Sequence, residues 1–172
     1  MSHSAAALNF IQLNRIHRQL GELFFRHQEA LLDGDLPRAQ ALWKDYEAAL
    51  VAHLDEEDQI LFPLYRDRVV PPPRGGAPDN FTGEHQKIRE WLGRLKLRLS
   101  RLGSAKSKNR ERLALLDDEA FFKKFLQHHA LREDRIFYPA LDRVVSDREK
   151  AALARLLSFK LEDQETPEEK KP

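Results

Sequence analysis

Apolar residues recur at spacings of three and four along four long stretches of the chain, which predicts four amphipathic helices. The first covers about residues 6–32. Asp33-Gly34-Asp35 ends it and starts the next, with Asp35 as N-cap and Pro37 in the first turn. The second helix covers about residues 37–69. Pro71-Pro72-Pro73-Arg74-Gly75-Gly76-Ala77-Pro78 interrupts any regular element and reads as a loop. Asp79 or Asn80 is expected to cap a third helix that reaches about residue 102. Gly103 to Ser107 is a polar connection, and a fourth helix follows over about residues 109–145. Ser146 with Glu149 three residues on is a capping-box pattern, so a short fifth helix is expected over about residues 147–161. No stretch alternates in the manner of a strand. Short links between long helices predict an all-α fold: an antiparallel up-down-up-down four-helix bundle over residues 1–145. The short C-terminal fifth helix, within residues 146–163, is expected to pack on that bundle, and residues 164–172 to form a disordered tail.

The second and fourth helices carry a repeat. His53-Leu54-Asp55-Glu56-Glu57-Asp58-Gln59-Ile60-Leu61-Phe62-Pro63 aligns without a gap on His129-Ala130-Leu131-Arg132-Glu133-Asp134-Arg135-Ile136-Phe137-Tyr138-Pro139. His, Glu, Asp, Ile and Pro coincide. Each of the other two helices contributes a histidine upstream of one copy, His17 and His85. Pro63 and Pro139 each remove a helix hydrogen bond, and each is expected to kink or end its helix.

Composition narrows the function classes. Hydrophobic residues make up 41% of the 172, enough for a core without disulfides. The formal net charge is +1, which gives no electrostatic case for nucleic acid or a membrane surface. The absence of cysteine excludes disulfides, thiolate metal sites and thiol catalysis. There is no bilayer-length apolar run and no signal-peptide pattern, so a cytoplasmic location is expected. The sequence does not set the oligomeric state, and a homodimer is one option.

The histidines carry the chemistry. Positions i and i+4 of a helix share a face, so His53 with Glu57, and His129 with Glu133, reach one ion-sized volume. All four histidines lie on the apolar stripes of their helices. Tyr46, Leu50, Ile60, Leu61 and Leu64 flank His53; Phe122, Leu126, Ile136 and Phe137 flank His129; Leu13, Leu20 and Phe24 flank His17; Phe81, Ile88 and Leu92 flank His85. Buried unpaired carboxylates at Glu57 and Glu133 would cost several kcal/mol, a penalty that a shared cation removes. His17, His53, Glu57, His85, His129 and Glu133 are therefore the expected metal ligands, with the two glutamates bridging a dinuclear centre. Imidazole and carboxylate suit iron, manganese or zinc. His3 lies at the frayed start, His27 is read as a surface residue, and His128 as facing solvent.

The order His, His-x-x-x-Glu, His, His-x-x-x-Glu resembles the hemerythrin-like (HHE) cation-binding domain of bacterial type, over about residues 8–145. The Ile-Leu-Phe-Pro and Ile-Phe-Tyr-Pro stretches resemble it too. The resemblance implies two iron ions, oxo- or hydroxo-bridged, with manganese or zinc as alternatives. Oxygen-carrying members have a second histidine four residues after the one on the third helix, where this chain has Arg89. That departure implies an open iron position, with Tyr46 and Glu56 as candidate replacement ligands. It favours binding of, or response to, a small oxidant (oxygen, nitric oxide or peroxide) over reversible oxygen carriage. Turnover of peroxide or nitric oxide by an enzyme, and iron handling or iron-centre repair, are the alternative functions. A binding protein is favoured over an enzyme because no separate general acid or base stands in the predicted core.

Overall fold

The computed structural model describes residues 9–103 and 108–157, and among these there are helices and no strands. His3, the expected start of the first helix and the 164–172 tail lie outside the described residues. After a 3-10 turn at Phe10–Leu13 come α1 (Asn14–Asp33) and α2 (Leu36–Glu56). A π-helical turn, Glu57–Leu61, joins α2 to α3 (Phe62–Arg68). After the proline-rich loop come α4 (Pro78–Leu102) and α5 (Lys108–Arg132). A second π turn, Glu133–Phe137, leads into α6 (Tyr138–Val144), and α7 (Asp147–Leu153) follows.

The turn chemistry explains most boundaries. Gly34 ends α1 at φ 78°, where its N–H reaches the carbonyls of Ala30 and Leu31. Asp35 then caps α2 by accepting from the Arg38 N–H at 3.1 Å. α4 starts at Pro78, ahead of the expected caps Asp79 and Asn80, which lie inside its first turn. Pro78 occupies the first turn, where a missing N–H costs nothing, and Ala77 precedes it without a side-chain cap. The capping box forms at α7: the Ser146 N–H donates to Glu149 at 2.9 Å. α7 stops at Leu153, and turns carry the chain to Leu157. Lys150 ties α7 to Asp142 of α6 at 2.9 Å.

The core forms because each long helix presents one apolar stripe. In α4 the buried residues are Phe81, His85, Ile88, Leu92, Leu95, Leu99 and Leu102, an unbroken alternation of four and three. α1 packs on α2, α2 on α4, α4 on α5 and α5 on α1, closing a ring of helices around one core. None of the described helices is long and apolar enough to cross a membrane.

Of the two outcomes expected at Pro63 and Pro139, a kink or a helix end, the second does not occur. An α-helical turn would drive the Pro63 ring into the carbonyl four residues back. The chain widens instead: the Phe62 N–H bonds to the Glu57 carbonyl, five residues back, and the Tyr138 N–H bonds to that of Glu133. The wider turn rotates the helical residues C-terminal to it. Phe62 and Tyr65 are buried after Glu57, whereas Leu64, expected on the ligand stripe, is only half-buried.

Candidate metal centre

The six expected ligands converge at mid-core. Glu57, His85, His129 and Glu133 form one group of ligand atoms within 4.8 Å of one another; His17, His53 and Glu133 form a second. Glu133 belongs to both. Its Oε1 lies 3.0 Å from His129 Nε2 and 3.5 Å from His85 Nε2, and its Oε2 lies 3.2 Å from His17 Nε2. Glu57 Oε2 lies 3.4 Å from His85 Nε2 and 3.6 Å from His53 Nε2. Each carboxylate thus has histidines of both groups beside it. The two π turns start at these two glutamates.

A second set of residues holds the ligands. Asp58 Oδ1 lies 2.9 Å from His85 Nδ1, and Asp134 Oδ1 lies 3.3 Å from His17 Nδ1. These are equivalent positions in the repeat: Asp58 is hydrogen-bonded to His85, Asp134 stands beside His17 as an ion-pair contact, and both face Nδ1 and so leave Nε2 toward the cluster. Glu84 Oε2 lies 2.9 Å from His129 Nδ1 and is itself paired with Arg132. The π turns bring rings beneath the ligands: Phe62 lies 5.0 Å from the ring of His85, and Tyr138 stacks 5.9 Å from that of His17. Tyr138 adds a hydroxyl that Phe62 lacks, and it donates to Glu57 Oε1 at 2.6 Å. The sequence reading missed Asp58, Asp134, Glu84 and Tyr138. The signals were the aspartate shared by both repeats and the single hydroxyl by which Tyr138 differs from Phe62.

The electrostatics suit a cation at the cluster. Glu57 Oε2, Glu133 Oε2 and His129 Nε2 are buried, face the cluster and form no hydrogen bond. Three histidines take up protons in compensation. Burial opposes their charge, but hydrogen bonds and the glutamates' charge outweigh it. Asp134 and Glu133 raise His17 to about 10. Asp58, Glu133 and Glu57 raise His85 to about 11. Glu133 and Glu84 raise His129 to about 9. His53 moves the other way, lowered by burial against the pull of Glu57. Burial would raise Glu133, yet His129, His17 and His85 hold it well below the ordinary carboxylate range. Burial pushes the Tyr138 phenol well above its usual value, so it remains a donor.

Other expectations resolve differently. His27 is not a surface residue but fully buried. Its Nδ1 lies 2.8 Å from the Ala39 carbonyl and its Nε2 2.9 Å from Glu119 Oε1. The reason is Glu119, which stands on the apolar stripe of α5 and needs a partner from α1. His128 is exposed, as expected. Arg89 turns away from the cluster to Asp55 and Asp58, at 2.8 Å from each. It braces the carboxylate that orients His85. Glu56 is in neither ligand group, and Tyr46 packs 4.8 Å from Phe24 and 5.7 Å from Trp43.

Comparison with known proteins agrees with this arrangement. The model of the hemerythrin HHE cation-binding domain matches residues 11–141. The chain belongs to the hemerythrin HHE cation-binding domain family. The matched span contains all six residues of the two ligand groups and both π turns. No curated protein and no solved structure matches the chain.

Proposed function

We propose that this chain is a di-iron binding protein that binds or responds to a small oxidant (oxygen, nitric oxide or peroxide) at an open iron position. The scaffold is read as an antiparallel up-down-up-down bundle. The observation that carries this reading is the sharing of Glu133 by two groups of buried ligand atoms. One ion would be held by His85, His129, Glu57 and Glu133. The other would be held by His17, His53 and Glu133, with Glu57 beside it. Iron is favoured over manganese or zinc by family membership, since the donor set suits all three.

The second group has fewer ligands, and a cavity meets both of its histidines, His17 and His53, together with His129 of the first group. That is the place for an exogenous small molecule. Bound iron would supply reversible one-electron chemistry there. The chain's own residues do the rest. Asp58, Asp134 and Glu84 fix the imidazoles, Tyr138 O–H holds Glu57, and the leucine and phenylalanine walls limit water. The acidic and phenolic groups beside the cluster, Asp58, Asp134, Glu84 and Tyr138, are all engaged with ligand residues, so binding is preferred to turnover.

The test is anaerobic reduction followed by titration with oxygen, nitric oxide and peroxide, watched optically with metal analysis of the same sample. The expected result is charge-transfer absorption that responds to at least one of them. Iron-loaded protein whose spectrum is indifferent to all three would contradict the oxidant reading and leave metal binding standing.

A further inference from the structure

A cavity of about 420 Å³ lies between α1, α2 and α5, with His17, His53 and His129 at its inner end. Its walls are Leu20, Phe24, Leu50, Leu54 and Leu126. The space far exceeds what a diatomic needs. Filled with water alone it would hold on the order of a dozen molecules at about 30 Å³ each, with few hydrogen-bond partners. Its volume lies within the range of sites for small organic molecules, roughly 300–1,000 Å³.

The mouth has its own character. Arg18 and Lys123 line it and are exposed, and Lys123 Nζ also donates to Gln28 Oε1 on the same wall at 3.3 Å. Asp134 is the one acidic lining residue among those described, and it is turned toward His17 at 3.3 Å. The rim is therefore cationic. Exposed apolar side chains sit beside those charges: Phe25 is 54% and Leu131 44% exposed. Gly21 stands on the same wall, inside α1, and a Cβ there would meet nothing within 4 Å. Neither packing nor backbone conformation calls for glycine at this position. Its lack of a side chain leaves the entrance wide, at a cost in helix propensity of about 1 kcal/mol relative to alanine.

We propose that this cavity binds an amphipathic monocarboxylate with an unbranched aliphatic chain of medium length. The carboxylate is held by Arg18 and Lys123 at the mouth, and the chain runs between Leu20, Leu50 and Leu126 toward His17 and His53. Charge at the rim and apolar walls behind it together select an amphiphile over a purely polar anion or a bare hydrocarbon.

The experiment is calorimetric titration of the purified protein, before and after chelation of its metal, with decanoate, decanol and acetate. Decanoate is expected to bind at one site in both samples, decanol more weakly, and acetate not measurably. Gly21→Phe closes the entrance from open space and is expected to weaken decanoate roughly tenfold, equal to about 1.4 kcal/mol, with an unchanged melting temperature. Should Gly21→Phe itself melt early, Leu126→Trp fills the opposite wall and is expected to weaken decanoate likewise. Arg18→Ala with Lys123→Ala should weaken decanoate and leave decanol unchanged. Absence of decanoate binding, acetate binding as tight as decanoate, or decanoate binding undiminished by both cavity-filling variants would overturn the proposal. None of these results depends on which metal is bound, so the proposal and the di-iron reading fail separately.

Discussion

At the scale of single residues, Glu133 and Tyr138 show how much a buried side chain owes to its neighbours. Glu133 is fully buried and has His17, His85 and His129 within 3.5 Å. Tyr138 donates to Glu57 Oε1 at 2.6 Å, while Oε2 faces the histidines without a hydrogen bond. Tyr138→Phe keeps the ring and removes that bond. It is expected to lower stability by about 1–3 kcal/mol in denaturant unfolding, because a bond to a buried carboxylate is lost. An unchanged midpoint would contradict the assignment. The His27–Glu119 pair gives a second test, away from the cluster. The Ala39 carbonyl can only accept, so His27 Nδ1 donates to it, and Nε2 faces Glu119 Oε1 at 2.9 Å. Glu119→Leu leaves that histidine without its carboxylate and is expected to cost about 3–5 kcal/mol. Adding His27→Leu should recover much of the loss in a double-mutant cycle, with metal content unchanged throughout. Strict additivity of the two changes would show that the pair is not coupled. The ligand residues were legible in the sequence because their spacing and stripes coincide. His27 was not, because its burial depends on a glutamate 92 positions away rather than on its own helical face.

At the scale of elements, the wide turns decide what surrounds the ligands. The prolines at 63 and 139 are plain in the sequence, and the usual rule is that proline stops or kinks a helix. That rule omits the five-residue hydrogen bond, which can absorb proline and let the helix continue. That one bond moves Phe62 and Tyr138 beneath the histidines. The proline-rich loop then closes over the second wide turn. Tyr65 O–H donates to the Gly76 carbonyl at 2.9 Å, and Arg132 reaches the Gly75 carbonyl. A Cβ at Gly76 would stand 2.7 Å from the Tyr65 hydroxyl and 2.8 Å from Ile136. Gly76→Ala is therefore expected to destabilise by about 1–3 kcal/mol, the usual cost of forcing an extra methyl into packed structure. A melting temperature equal to that of the parent protein would show that the loop is not held against the π turn. Composition is enough to predict the loop but not its contact with the site, since nothing local in a Pro-Gly run names its partner.

At the scale of the whole molecule, the bundle gathers two carboxylates and four histidines into one cluster at mid-core and so couples folding to charge. Without metal, His17, His85 and His129 hold protons up to about 10, 11 and 9, against an ordinary value of 6.5. A raised value means that their contribution to stability is complete below pH 6.5 and is lost as pH rises through 9 to 11. A cation competes with those same protons, so the stabilisation it gives grows with pH over that window. Melting temperatures of metal-free and metal-loaded protein, followed from about pH 6 to about pH 10, are expected to draw steadily apart. Curves that stay parallel would show that these histidines do not exchange protons for metal. The most direct test of the central claim is metal analysis of protein purified without chelator, beside a Glu133→Gln variant of verified fold. The account predicts about two metal ions per chain, mainly iron, and a marked loss in the variant because both ligand groups share that carboxylate. Trace metal in the parent protein, with folding unchanged when metal is added, would contradict it.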